Sequence, residues 1–170
     1  MSPNAAAQLT TIRWLHRLLV EHHLDYWLFG GWAVDFHAGR VTRDHEDIDI
    51  AVWQADLDRL RGLLEGEGWV PAPDRGEDGY TGYARDQVRL ELAFLARDDA
   101  GTPYTPLEHG RGEWPSGSFG DARAELAGVT ASVVGLAALV EDKAGARDDA
   151  AVAAKDRADL AVLTSLPGAG

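Results

Sequence analysis

Three carboxylates in this sequence stand where a divalent cation could draw them together. Asp47 and Asp49 flank Ile48 in the run Asp47-Ile48-Asp49-Ile50, and Glu91 lies in VRLELAFL, residues 88–95. Side chains alternate between the two faces of a strand, so Asp47 and Asp49 project together while Ile48 and Ile50 turn to a core. Glu91 likewise lies off the face that carries Val88, Leu90, Leu92 and Phe94. Like charges this close repel, and Mg²⁺, a hard cation that prefers oxygen ligands, removes the conflict. If the two strands are neighbours, the three acids form a two-metal constellation, which clamps the attacking and leaving oxygens of a phosphoryl displacement. The competing use of each acid is an ordinary solvated strand face.

The residues just upstream supply the complementary chemistry. Gly30-Gly31 ends an apolar run and opens a short helix. Backbone N–H groups there can approach an anion closely, aided by the positive end of the helix. Arg40 and Arg43 precede the aspartates, where they could meet the β- and γ-phosphates of a nucleotide or pair with Asp44 and Glu46. His45 could contact a metal, base or phosphate, or be structural. Asp35 either orients an arginine or caps the turn. Lys143 or Lys155, in the tail, could add charge to a triphosphate or lie on the surface. Neither a Walker-type phosphate loop nor a dinucleotide fingerprint is present.

Positioning these groups requires strands and helices, and the apolar spacing supplies both. Leu9, Ile12, Leu15 and Leu19 predict a helix over residues 5–22. The aromatic run 26–29 predicts a buried strand, 32–37 a short helix stopped by Gly39, and 47–53 a second strand. Leu57, Leu60, Leu63 and Leu64 mark a helix, residues 71–82 a loop, and 87–95 a further strand. Residues 98–120 read as short strands and loops, and 133–146 and 150–163 as two alanine-rich helices. The expected class is α/β (α+β): a mixed sheet with helices packed against it, the core over residues 1–125 and a helical segment over 126–170.

Composition narrows the partners. The chain has 170 residues, 45% of them hydrophobic, enough for a true core. It has no cysteine, which excludes disulfides and thiolate metal sites. Acids outnumber bases 28 to 16, a net charge of -12, which disfavours a grip on nucleic acid and favours metal ions or amine-bearing small molecules. No membrane-spanning run or leader pattern is evident, so a cytoplasmic location is expected.

GGWAVD, then GRVTRDHEDIDI, then the acid in LELAFL, taken in that order, is similar to the small antibiotic nucleotidyltransferases. The resemblance is to the aminoglycoside 2″-O-nucleotidyltransferases and the short lincosamide nucleotidyltransferases. It is dense over residues 26–52, weaker around Glu91 and faint in the tail, where KDRADLAVL (155–163) resembles a helical motif of broader relatives. The resemblance implies a nucleotidyltransferase fold, with Asp47 and Asp49 as the metal-binding pair and Glu91 as the third acid, serving as base or ligand. Gly30 and Gly31 would match the triphosphate turn, with Arg40, Arg43, His45 and Lys143 beside the nucleotide. The family usually carries Asp at the third position, and Glu is one methylene longer.

The activity so implied is Mg²⁺-dependent transfer of AMP from ATP to a hydroxyl of an antibiotic, conferring resistance, by a monomer or homodimer. Aminoglycoside is favoured over lincosamide, because Asp98, Asp99, Glu108, Glu113, Asp121 and Glu125 could line a polycation site, with Tyr104 or Trp114 stacking on a sugar. The alternatives are a toxin–antitoxin component of the same fold and a non-catalytic nucleotide-binding module.

Overall fold

Ser2 starts the first helix by accepting a hydrogen bond from the Ala5 amide at 3.1 Å, in a computed structural model that describes residues 1–72 and 78–168. Helix α1 (Pro3–Glu21) buries Leu9, Ile12, Leu15 and Leu19 on one face, as their spacing predicts. Strand β1 (Tyr26–Leu28), helix α2 (Gly30–Ala38) and strand β2 (Ile48–Trp53) follow. A 3₁₀ turn (Gln54–Asp56) leads into α3 (Leu57–Gly66), and then come β3 (Val70–Pro71), β4 (Tyr80–Arg85) and β5 (Val88–Arg97). The chain continues through β6 (Pro103–Leu107), β7 (Gly110–Glu113), β8 (Arg123–Leu126) and β9 (Val129–Ser132) to α4 (Leu136–Ala144) and α5 (Ala150–Thr164).

The main sheet runs β1-β2-β5-β4-β3, and β6 and β7 extend it from β5. Its central pair, β2 and β5, is parallel, and every other pairing is antiparallel. A parallel pair needs a long crossover, here supplied by α3, β3 and β4. Ile48, Ile50, Leu90 and Leu92 are fully buried beneath α1 and α2, and fix which face of the central pair is left for chemistry. This is the expected class, a mixed sheet flanked by helices with a helical end.

Several local expectations change. Residues 71–82 were expected to be loop, yet Val70–Pro71 and Tyr80–Arg85 form strands, because β5 offers its edge to Thr81 and Tyr83; residues 73–77 lie outside the described residues. Phe94 was expected among the core residues of its strand, but it is half-buried while Ala93 and Leu95 are buried. The simple alternation ends where both faces of β5 are covered.

The β8–β9 hairpin was not foreseen. Its turn is Ala127-Gly128, both with positive φ (49° and 73°), and alanine gives none of the Asn-Gly or Asp-Gly signal of such turns. The division expected at 125/126 falls inside β8. The first tail helix starts at Leu136 rather than 133, because Val133 bridges to Leu28 and the Val134 amide donates to the Leu28 carbonyl at 2.9 Å. Helices α4 and α5 pack on each other and on α2. No helix among the described residues is long and apolar enough to cross a membrane.

Candidate active site

The parallel register places Asp49 directly beside Glu91. Asp47 comes just before β2 on the same face, and oxygens of Asp47, Asp49 and Glu91 all lie within 4.8 Å of one another. The longer glutamate therefore still reaches the pair. All three are half-buried, which strengthens their electrostatics relative to open solvent. Asp49 and Glu91 open on a cleft of about 550 Å³, whose wall includes Gly30, Trp114, Lys143 and Arg147.

Gly30 begins α2 with a φ of +62°, in the left-handed region. A Cβ there would run into Asp49 Oδ2. The Phe29 amide donates to the Asp49 carbonyl at 3.1 Å, tying the turn to the acid strand. Gly31 is equally constrained, since its added Cβ would meet the His45 ring and Arg43 Nη2. The glycine pair is therefore the contact surface on which the acids and the arginine rest.

A buried network holds that arginine. Asp35, fully buried, accepts from the Thr42 amide at 3.0 Å and its hydroxyl at 2.5 Å. Its other oxygen lies 2.6 Å from His45 Nε2. Arg43 Nη1 lies 2.9 Å from His45 Nδ1; arginine can only donate, so Nδ1 accepts and Nε2–H donates to Asp35. Arg43 then spans to the tail, giving Asp159 two bonds of 3.1 Å from Nε and Nη2. Burial pulls the Arg43 guanidinium down, but the bonds and charge of Asp159, with Asp35 and Asp49 adding, hold it above its usual pKa.

The candidates named from sequence thus separate. Gly30, Glu91, Asp49 and Lys143 share the cleft, and Asp47 joins the acids. Arg43 stands behind Gly31, and His45 is buried behind Arg43, in contact with the Trp32 ring at 4.8 Å. Arg40 is exposed beyond the end of α2 and pairs with no described side chain. Lys155 binds Glu46 at 2.7 Å and does not line the cleft. Of the loop acids, only Glu113 lines it, together with Trp114. Asp98 caps its own turn through the amides of Ala100 and Thr102, Asp121 borders a different groove, and Tyr104 packs under Arg111.

Sequence reading missed Asp142, Arg147 and Asp156, which also line the cleft. Arg147 Nε donates to Asp156 at 2.6 Å and Lys143 donates to its other oxygen at 2.7 Å. The i, i+3 pair Asp156 and Asp159 on α5 was the available signal, hidden in an alanine-rich tail; Asp142 at the end of α4 and Arg147 between the helices carry no such spacing.

Burial pushes the Asp156 carboxyl up, but the bonds from Lys143 and Arg147 and their charges hold it below the usual carboxylate range. A depressed carboxylate stabilises fully above its unfolded pKa, near 4, and the contribution is lost as pH falls through the lower folded value. Asp156→Asn is expected to lower the melting temperature by roughly 4–8 °C at pH 7, from about 2 kcal/mol of charge-assisted bonding. That gap should begin to narrow as pH falls below about 4; a gap independent of pH between 7 and 3 would contradict the assignment.

A parallel strand pair bearing Asp-x-Asp and a third acid, with a glycine turn leading into a helix beside it, defines the nucleotidyltransferase class of fold. The crystal structure of ANT(2″)-Ia in complex with adenylyl-2″-tobramycin shares that fold, with a TM-score of 0.74 over 94% of this chain and 88% of that one, at 22% identity. Lincomycin-bound LnuA, a lincosamide antibiotic adenylyltransferase, gives 0.70 over 89% and 93%, at 20% identity. The family model for aminoglycoside-2″-adenylyltransferases matches residues 11–163, and the chain belongs to that family.

Closer sequence similarity is local. A 2″-aminoglycoside nucleotidyltransferase from Escherichia coli is 46% identical over 59 residues, 33% of each chain. A lincosamide resistance protein from Staphylococcus haemolyticus is 38% identical over 61 residues, 32% of this chain and 38% of that one. The matched segment spans about a third of the length of these curated relatives.

Proposed function

We propose that the chain is a Mg²⁺-dependent adenylyltransferase that moves AMP from ATP to a hydroxyl of an aminoglycoside, with a lincosamide the next candidate, and so confers resistance. The observation that carries this reading is the meeting of Asp47, Asp49 and Glu91 within 4.8 Å beside the Gly30 turn. Three hard oxygen donors at the edge of a cleft fit Mg²⁺. Bound there, Mg²⁺ would neutralise phosphate charge and polarise the phosphoryl group under attack.

The chain's own groups do the rest. The backbone amides of Gly30 and Gly31, at the positive end of α2, receive the phosphates, with Arg43 behind them and Lys143 across the cleft. Arg40 and His45 serve the nucleotide at greater remove, His45 by carrying Arg43. Glu91 accepts the proton of the acceptor hydroxyl as its oxygen attacks the α-phosphorus; the bond to the β-phosphate oxygen breaks and pyrophosphate leaves on the cationic side. Glu113 and Asp142 face the acceptor's ammonium groups, and Trp114 presents an apolar wall to its sugar. The clustered acids and the family together weigh against a toxin–antitoxin component or a non-catalytic module.

Incubation with Mg²⁺–ATP and a panel of aminoglycosides and lincosamides, followed by mass spectrometry, is expected to show one added AMP on at least one aminoglycoside. No adduct on any compound would leave the family standing and remove the proposed activity.

A further inference from the structure

The tail motif KDRADL has a geometry that the proposed reaction does not yet use. Lys155 and Asp159 are four residues apart on α5, and Asp156 is three from Asp159, so the three share a helix face. Each meets an opposite charge from elsewhere: Lys155 takes Glu46, Asp156 takes Lys143 and Arg147, and Asp159 takes Arg43. Asp159 is the most deeply placed of these, with 2% of its side chain exposed. Its Oδ1 accepts from Arg43 Nε and its Oδ2 from Arg43 Nη2 at 3.1 Å, and Oδ2 also lies 3.2 Å from Lys143 Nζ in an ion pair.

One buried carboxylate therefore holds two cations, Arg43 from the loop before β2 and Lys143 from α4. Arg43 lies against Gly31 on one side, where Nη2 is the atom that an added Cβ would meet. Lys143 stands in the wall of the cleft that also holds Asp49 and Glu91. We propose that Asp159 is a positioning residue for nucleotide binding: it holds Arg43 against Gly31 and Lys143 in the wall of the cleft, and so couples α5 to the glycine turn. This rests on the nucleotidyl-transfer reading above.

Three roles for this carboxylate have different signatures. A residue that only stitched α5 to the core would, when replaced, lower the melting temperature and leave nucleotide affinity of the folded protein unchanged. One that acted only as a charge would weaken phosphate binding by its presence, so its removal would tighten binding. A positioning residue gives the opposite sign, because the two cations lose their geometry.

The test is calorimetric titration of the full chain with Mg²⁺ and α,β-methylene-ATP, which needs no acceptor and no turnover. Asp159→Asn is expected to weaken binding by about tenfold, and Asp159→Glu, which keeps the charge but moves the carboxylate by a methylene, by at least ~3-fold. In an Arg43→Ala background, Asp159→Asn is expected to weaken binding less than it does in the wild type, because only the Lys143 contact is then left to lose. Should Asp159→Asn fail to fold, Asp159→Glu decides. Unchanged or tighter binding in folded variants would overturn the proposal while leaving the adenylyltransferase reading intact. A wild-type chain that bound no Mg²⁺–nucleotide would overturn both.

Discussion

Asp47→Asn is expected to lower AMP transfer by about 10³-fold or more while the melting temperature stays within about 3 °C of the wild type. The substitution keeps the size of the side chain and removes the charge. Asp47 stands at the entry to β2, half-buried, with its oxygens within 4.8 Å of those of Asp49 and Glu91. Losing one of three anionic ligands weakens the hold on a divalent cation whose charge stabilisation is worth several kcal/mol in the transition state, and each 1.36 kcal/mol is tenfold in rate. The fold has little to lose, because Ile48 and Ile50 rather than Asp47 make the core contacts. Mutual repulsion among the remaining acids also falls. Initial rates of pyrophosphate release at saturating Mg²⁺–ATP, together with thermal unfolding, provide the measurement. Near wild-type turnover in a folded variant would remove the metal-centred reading of the cluster.

The acids were legible because their signal is short-range. A strand's period of two is written in Asp47-Ile48-Asp49-Ile50, and the same period in VRLELAFL put Glu91 off the core face. The pattern leaves one condition open, that the two strands are neighbours, and the β2–β5 register meets it. What stayed hidden depends on pairs far apart in the chain. Asp159 meets Arg43 across 116 positions, and no local pattern marks an alanine-rich helix as the arginine's partner. Asp35 is the opposite case, with partners only 7 and 10 positions away: both roles the sequence allows occur, since it holds Thr42 and, through His45, an arginine. The acidic residues of 98–125 illustrate the opposite error. Their composition suggested a polycation site, but turns and strands direct most of them away from the cleft, and Glu113 alone stays. Trp32, which carries much of the resemblance, is likewise a packing residue, fully buried with its Nε1 donating to Gln8 at 2.7 Å. Gln8 in turn donates to the His45 carbonyl, so the Trp32 ring and the acid-bearing loop are fixed by one chain of bonds.

Gly30→Ala should damage catalysis far more than stability, and a second glycine supplies the control. Gly30 and Gly39 stand at the two ends of α2 with nearly the same φ, +62° and +65°. Alanine at either position meets left-handed strain of about 1–2 kcal/mol, or roughly 2–8 °C in a chain of this size. Their surroundings differ. Nothing lies within 4 Å of a Cβ on Gly39, whereas one on Gly30 would strike Asp49 Oδ2. The aspartate side chain can swing away, so the clash need not unfold the protein. Swinging away, however, takes Asp49 out of register with Glu91 and Asp47, and a misplacement of about 1 Å at a reacting centre can reduce rate ~100-fold. The methyl group also covers the amides offered to phosphate. Gly30→Ala is therefore expected to lose about 100-fold or more in kcat/KM for nucleotide, and Gly39→Ala less than about threefold, at similar melting temperatures. Equal losses of activity in the two variants would mean that backbone strain, rather than the contact between the turn and Asp49, controls the site.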